Sequence, residues 1–572
     1  MSVNSVSIAL VGSGGAGVMT AGQMLLDAAA KAGWYGLMTR SSGPQIRGGE
    51  AAAMVRLSVD PVEAPCDRFD IVMAFDWQNV DRFAGELPMD AASAIITDPD
   101  QGEVPPVLAK AGAKQIEVSI KKLASEIEGG RVNMIGLGAV AAAIGLDLAY
   151  VESVVGAALG KKGAEAMAAA VNCMNAGHSL AKGWGLPIQL DAPKAKGKDL
   201  WNISGNEAAG QGAIRAGVRF CAAYPITPAT EVLEYLAPRL PKVGGSLVQA
   251  EDELASINMC LGGSYGGVPS ITATSGPGLS LMTEALGLAV SSEIPVVVVD
   301  VMRGGPSTGI PTKSEQSDFN QAVYGLHGDA PHLVLAPLSI ADCLFTTQWA
   351  VYLAEALQTA AIVLSDQSLG QSRAVVAPPP DLGFRADRVK PASPVPAGYK
   401  RYADTPSGVS PMATPGMPGG EYTADGLEHA ESGLPSSQAA DHDKQLNKRL
   451  RKLTEFDYGD HWAEIEGEGE VAVITFGSIA GPTREAVARA RAAGQKVKLI
   501  AMRLITPTQP AKMAAALKGV KKLLIVEQTH GAQFAHFLRA HYDLPAEVTV
   551  FARSGPLPMR AAEVNEKLSA LV

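Results

Sequence analysis

The 572-residue chain has only five cysteines, Cys66, Cys173, Cys221, Cys260 and Cys343, and none are spaced as C-x-x-C. An odd, scattered set excludes a disulfide framework and an iron–sulfur ligand run, and reads as small buried apolar residues. Aromatic residues are scarce too, at 5% against 47% hydrophobic overall, so the cores must rest on Ala, Val, Leu and Ile. Basic clusters are missing: 48 Lys and Arg face 58 Asp and Glu, a formal charge of −10. A diffuse acidic balance argues against nucleic acid, whose phosphates call for clustered cations. The basic block from Lys444 to Lys452 reads as a solvated charge run. The longest apolar stretch, Met134 to Leu146, stops at Asp147. It falls short of the roughly 20 residues a bilayer crossing needs. The N-terminus enters a strand at Val6 without a basic n-region or cleavage site, so a cytoplasmic chain with no membrane partner is expected.

What is present is the composition of a large α/β enzyme, with 61 Gly for tight turns and length for three to four domains of roughly 150 residues. Residues 1–190 open SIALVGSGGAGVMTAGQMLLDAAAKAG, a strand, Gly-rich turn and helix, and further apolar strands follow at 70–74 and 94–96. That alternation predicts a doubly wound sheet. Residues 201–376 carry short β-branched runs (SLVQA, SITAT, IPVVVVDV, HLVLAP, AAIVLSD), each followed by Gly or Pro and a helical pattern. Continuous apolar runs of this kind indicate a parallel sheet buried on both faces. Residues 377–460 turn proline-rich (PPPDLG, PASPVPAG, TPSGVSPMATPGMPGG) and are expected as a stiff, irregular linker ending in a charged helix. Residues 461–572 read as a smaller parallel α/β domain. The expected class is α/β, with three parallel-sheet domains.

Three elements carry chemistry. Gly12 to Gly17, GSGGAG, fits G-x-G-x-x-G between a strand and a helix, where free amides and the helix dipole suit a phosphate. A nicotinamide site also wants an acid at the end of the next strand, and Thr39 and Arg40 stand there instead, before a second Gly-rich stretch, SSGPQIRGGE. In CAAYPITPATEVLEYLA, Thr227 before Pro228 reads as the N-cap of a helix, with an end suited to a carboxylate. In LVQAEDELASINMCLGGSYGGVPSITATSGPGLSLMTEALG, three carboxylates at a strand-to-helix junction precede the turn Thr274-Ser275-Gly276-Pro277-Gly278.

This last order resembles the pyrimidine-binding domain of thiamin-diphosphate enzymes. YPITP, TSGPG and VMRGGPSTGIPTKSEQSD together resemble the α subunit of 2-oxoacid:ferredoxin oxidoreductases. GSGGAG and SSGPQIRGGE resemble the γ subunit of that family, here fused ahead of α. GLEHAESG, at 426–433, is similar to a motif of the 2-oxoglutarate branch.

The resemblance implies the following roles. The domains become a γ-type domain, a pyrimidine-binding domain, the linker, and a transketolase C-terminal-like domain. Glu253 aligns with the catalytic glutamate that hydrogen-bonds the aminopyrimidine ring; Glu251 and Asp252 are neighbouring rivals, and a gapless count back from TSGPG favours Glu253. Tyr224, Pro225, Ile226, Thr274, Ser275 and Gly276 would flank the same cofactor. Thr227 and Arg303 align with ligands of the substrate carboxylate, a task that suits the planar fork of Arg. Lys313, beside Ser314 on the following loop, is the candidate for the second carboxylate of a five-carbon substrate. Gly14, Gly15, Ser41, Ser42 and Arg47 are the candidates for coenzyme A.

The chain holds no metal site of its own in this reading. It has no G-D-G sequence, which would hold the diphosphate through Mg²⁺, and no cysteine set for an iron–sulfur cluster. A β subunit carrying Mg²⁺, the diphosphate and a [4Fe–4S] cluster is therefore implied, in an (αβ)₂ assembly that passes electrons to ferredoxin. The expected reaction is oxidative decarboxylation of 2-oxoglutarate to succinyl-CoA and CO₂, possibly run in reverse. Pyruvate, branched-chain 2-oxo acids and indolepyruvate are alternative substrates, and a nicotinamide-dependent dehydrogenase is the alternative from another class.

Overall fold

A computed structural model describes residues 2–43, 49–160, 163–186, 188–545 and 547–572. The chain divides into two compact units. One comprises residues 1–204, 371–378 and 557–563, and the other 205–370, 379–556 and 564–572.

The first unit is built on an eight-stranded sheet. Its centre is β1 (Ser5–Ser13), followed by α1 (Val18–Ala32), β2 (Tyr35–Ser42) and β3 (Glu50–Ser58). β3 runs antiparallel between β1 and β2, while strands Ile71–Ala74, Ala94–Thr97 and Lys114–Glu117 extend the sheet in parallel beyond β1. Arg373–Val376 and Trp201–Ser204 close the other edge, antiparallel. The sheet is therefore mixed, where the sequence pattern suggested a doubly wound one. The run EAAAMVRLS carries few β-branched residues and gives a weak strand signal, so β3 escapes a reading by pattern. The helix Val132–Ile144, apolar apart from Asn133, packs on this sheet beside Ala164–Ala181, and among the described residues no helix is long and apolar enough to cross a membrane.

The second unit holds two sheets. In the larger, β4 (Phe220–Ala223), β5 (Ser246–Gln249), β6 (Ser270–Thr274), β7 (Val296–Met302) and β8 (Ala360–Asp366) are parallel, in the order β5-β4-β6-β7-β8. Leu333–Leu335 follows β8 in parallel, and Leu504–Thr506 completes that edge antiparallel. β6, β7 and β8 are buried at every residue, as their apolar runs require of a sheet covered on both faces. The second sheet, of five strands, centres on Val471–Phe476 and is parallel apart from its first strand, Ala463–Glu466.

Between 377 and 438 the chain forms no helix or named strand, yet it is pinned in place. Arg388 makes a buried bidentate pair with Glu355, at 2.9 Å on each side, and donates to the Ser264 carbonyl. The helix Ala439–Thr454 buries Lys448 and Lys452 against Glu293, at 2.7 and 2.9 Å. Burial opposes ionisation of Glu293, but the two lysines and Arg401 override it and hold the carboxyl below the usual range. Composition predicts irregular chain here; it does not reveal that charged side chains are what anchor it.

Candidate active site

The C-terminal ends of β4, β6 and β7 bring the site together, where parallel α/β sheets place their ligands. β5 leads through Glu251 and Asp252 into α2 (Glu253–Tyr265). The three carboxylates then separate by role. Glu251 is exposed. Asp252 is the N-cap, its Oδ1 accepting from the Ala255 amide at 2.7 Å. Glu253 is buried, 6% exposed, on the first turn. Its carboxylate rests against Gly278: a Cβ there would lie 2.6 Å from Glu253 Oε1 and 2.1 Å from Thr274 Oγ1. Gly278 belongs to the first turn of α3 (Gly276–Ser291), so the glycine at that position keeps open the space Glu253 occupies. Thr274, Ser275 and Gly276 are buried beside it, and Ser275 Oγ has no hydrogen-bond partner.

Thr227 and Arg303, far apart in sequence, meet here. Arg303 follows β7, is 6% exposed, and donates from Nη1 to the Thr227 carbonyl at 2.5 Å. Burial lowers the pKa of its guanidinium, and Asp318 counters that pull. Thr227 is exposed but is not the helix cap its sequence suggests. The helix runs Thr230–Leu236 with Ala229 at its N-cap, and Thr227–Pro228 forms a turn ahead of it with a cis bond. Tyr224, Pro225 and Ile226 line the way into that turn, with Tyr224 exposed and the other two half-buried.

The loop after Arg303 folds back on itself. Gly304 bridges Ile310, and the Lys313 carbonyl accepts from the Gly304 amide at 3.0 Å, leaving Lys313 half-buried. Beyond it, Gln316 is fully buried and ties the loop to Phe476 and Gln528. Ser317 Oγ donates to the Arg303 carbonyl at 2.8 Å. GLEHAESG lies elsewhere. Gly426 stands near Leu288, at the end of α3 opposite the TSGPG turn. Glu428 takes both Nη groups of Arg449 and a bond from His442, and His429 stacks on Tyr402. The motif clamps the 377–438 segment to the helix Ala439–Thr454.

In the first unit, Gly14 and Gly15 follow β1 and Ser41 and Ser42 end β2, on either side of the start of β3. Ser13 donates both its amide and its hydroxyl to Asp76, at 3.0 and 2.8 Å, so an acid already occupies part of the Gly-rich turn. Ser41 is fully buried and donates to Glu86 at 3.1 Å. Arg47 lies outside the described residues. The antiparallel β3 separates β1 from β2, so the adjacent parallel strand that a nicotinamide-binding fold requires after its first helix is not there. All five cysteines are buried and free, with burial pushing Cys260 up to about 12.

Comparison with known proteins covers the length of the chain. Residues 7–180 match pyruvate ferredoxin/flavodoxin oxidoreductase; 211–448 match its thiamine diphosphate-binding region; 469–563 match core domain II of pyruvate:ferredoxin oxidoreductase. A 2-oxoglutarate synthase subunit KorA of Methanothermobacter marburgensis is 36% identical over 377 residues, which is 64% of this chain and 98% of the relative. The chain belongs to the 2-oxoacid:ferredoxin oxidoreductases.

A 2-oxoacid:ferredoxin oxidoreductase subunit alpha of Sulfolobus sp. is 29% identical across 98% of this chain and 96% of its own. A solved 2-oxoglutarate:ferredoxin oxidoreductase of Magnetococcus marinus, with 2-oxoglutarate, coenzyme A and succinyl-CoA bound, is 36% identical and covers 99% of both chains, with a TM-score of 0.91. The γ and α parts of this oxidoreductase are fused in one chain, and its activity depends on thiamin diphosphate. The buried Glu253, held at a helix start in space that Gly278 keeps open, fits the aminopyrimidine end of that cofactor.

Proposed function

We propose that this chain supplies the aminopyrimidine and substrate-carboxylate sites of a CoA-acylating 2-oxoglutarate:ferredoxin oxidoreductase, whose reaction is reversible. The observation that carries this reading is the meeting of Arg303 with Thr227, together with a Glu253 buried against Gly278 of the TSGPG turn. The Magnetococcus protein, similar end to end, supports 2-oxoglutarate as the substrate.

Thiamin diphosphate, when bound, supplies the electron sink that the loss of CO₂ requires. Glu253 holds the aminopyrimidine ring nitrogen, with Tyr224, Pro225, Ile226, Thr274, Ser275 and Gly276 around the ring. A carboxylate buried at a helix start keeps its orientation and is shielded from competing water. Thr227 and Arg303 orient the carboxylate that leaves, and Lys313 receives the distal one. Gly14, Gly15, Ser41, Ser42 and Arg47 serve coenzyme A; of these, Ser42 and the two glycines are the better placed, since Ser41 is buried on Glu86. A β subunit brings Mg²⁺ and a [4Fe–4S] cluster in an (αβ)₂ assembly. Ferredoxin docks on β, because acidic surfaces repel one another and this chain carries a net charge of −10.

The test is anaerobic reduction of methyl viologen by the chain co-expressed with its β subunit, in the presence of coenzyme A. Four substrates are compared: 2-oxoglutarate, pyruvate, a branched-chain 2-oxo acid and indolepyruvate. A strong preference for 2-oxoglutarate is expected. A preference for any of the others refutes the substrate and the Lys313 role, and normal turnover of Glu253→Gln refutes the role of Glu253.

A further inference from the structure

Two more buried carboxyls flank Arg303 along the chain, Asp300 three residues before it and Asp318 next to Ser317, whose hydroxyl donates to the Arg303 carbonyl. Asp300 sits within β7, in the run VVVVDVM; it is 0% exposed and neither of its carboxyl oxygens has a hydrogen-bond partner. Asp318 precedes the helix Phe319–Tyr324. Its Oδ2 is also buried without a partner, and its Oδ1 has only Ser317 Oγ near it, at 3.4 Å, a hydroxyl whose single proton goes to the closer Arg303 carbonyl. Gly276 of the TSGPG turn lies against this carboxyl, since a Cβ there would stand 2.5 Å from Asp318 Oδ1. Arg303 Nε and Ser275 Oγ are buried and unpartnered as well.

A buried carboxylate without donors is strongly disfavoured, and two that feel each other cannot both ionise. Burial, with Asp318 nearby, pushes Asp300 well above the usual range. Burial also pushes Asp318 up to about 6, against the Ser317 hydroxyl and the charge of Arg303 and with the help of Glu315. The groups facing Asp318 are therefore Arg303 and Asp300 from β7 and its end, Glu315 and Ser317 from its own loop, and the amide end of α3 at Gly276. His530 acts on Glu315 from behind.

We propose that Asp300 and Asp318 share one proton and leave a single negative charge facing Arg303, which makes Asp318 a positioning residue for the substrate-carboxylate site. The inference rests on reading Arg303 as a carboxylate ligand. An unopposed guanidinium grips the ground-state carboxylate more tightly than the transition state, in which that charge is leaving as CO₂, and so slows the reaction. The shared charge tempers the grip while Arg303 still orients the substrate. The sign follows from the raised pKa: above about pH 6 the pair carries its charge, and below it Asp318 takes up a second proton and the tempering is lost. Low pH then gives tighter substrate binding with slower turnover.

The test uses the holoenzyme assembled with its β subunit, titrated calorimetrically with N-oxalylglycine, a 2-oxo-acid analogue that cannot lose CO₂. Steady-state kinetics are measured from pH 5.5 to 8.5. Asp318→Asn should bind the analogue about fivefold more tightly, lower KM and kcat together, and lose the acid limb of kcat near pH 6. Asp300→Asn replaces a carboxyl that is already protonated near pH 6, so that limb should stay within about half a pH unit of its place, and loss of the limb in this variant would overturn the assignment to Asp318. The unmodified enzyme should itself bind the analogue more tightly at pH 5.5 than at 7.5. A flat affinity profile in the unmodified enzyme, or an Asp318→Asn variant with unchanged affinity and acid limb, overturns the proposal. Arg303→Ala separates the two readings. If it leaves analogue affinity intact, the carboxylate-site reading itself falls. If it weakens binding while Asp318→Asn changes nothing, the acid pair alone falls.

Discussion

Replacing Gly278 with alanine tests the site through one methyl group. The added Cβ would lie 2.6 Å from Glu253 Oε1, 2.7 Å from Glu253 Cγ and 2.1 Å from Thr274 Oγ1. Ordinary contact begins near 3.4 Å, so the carboxylate must retreat by roughly 0.8 Å and the threonine hydroxyl by more. The backbone at Gly278 carries no positive φ, so alanine adds no backbone strain there. In a helix alanine is favoured over glycine by up to about 1 kcal/mol, while overpacking costs about 1–3 kcal/mol. These terms nearly cancel, and the variant should unfold within about 5 °C of the parent. Activity does not share in that cancellation. A displacement approaching 1 Å at a positioned group lowers the rate about 10²-fold, so kcat should fall by that order. The assay pairs a thermal unfolding scan of the holoenzyme with viologen reduction under saturating substrate. A kcat within twofold of the parent would refute the argument, because Glu253 would then not need the place in which it is found.

Asp252→Ala removes a helix cap and should cost about 1 kcal/mol in denaturant unfolding while kcat stays near normal, which separates this acid from Glu253 next to it. Glu293→Gln leaves Lys448, Lys452 and Arg401 buried without a carboxylate, and should destabilise the second unit by about 3–5 kcal/mol in the same experiment. Glu428→Gln breaks the fork to Arg449 and should lower stability by about 1–2 kcal/mol. Because GLEHAESG stands at the far end of α3, the ratio of 2-oxoglutarate to pyruvate turnover should not change; a changed ratio would return the motif to substrate selection.

Part of the candidate site's geometry is legible in the sequence, where chemistry and local pattern coincide. The gapless spacing from TSGPG back to Glu253 picks out the one buried carboxylate of the three. The resemblance names Thr227 and Arg303 as ligands of one carboxylate, but the bond between them, across 76 positions, is signalled by neither residue's local pattern. The helix start at Thr227 failed because Ser or Thr before Pro suits a turn as well as a cap, and the turn prevailed. Asp300, an acid inside an apolar run that must be buried, is itself a signal in the sequence, since Asp is almost never fully buried without a partner. Buried pairing was the harder part. Arg388, Arg401 and Lys448 look like surface charges in a proline-rich stretch or a polar helix, and Glu293 like one in the turn before β7; only tertiary packing makes them interior.

The strand Leu504–Thr506 bears on how the chain is made. It closes an edge of the larger sheet of the second unit, pairing with Leu333–Leu335 across some 170 residues. While the chain leaves the ribosome, that sheet has its β-rich core in hand yet presents an unpaired rim until residue 506 emerges. An open rim is a template for pairing with another nascent chain. Chains truncated before that point should therefore go to inclusion bodies even though every residue of the candidate active site is retained, and chaperone dependence should drop once residue 506 has been translated.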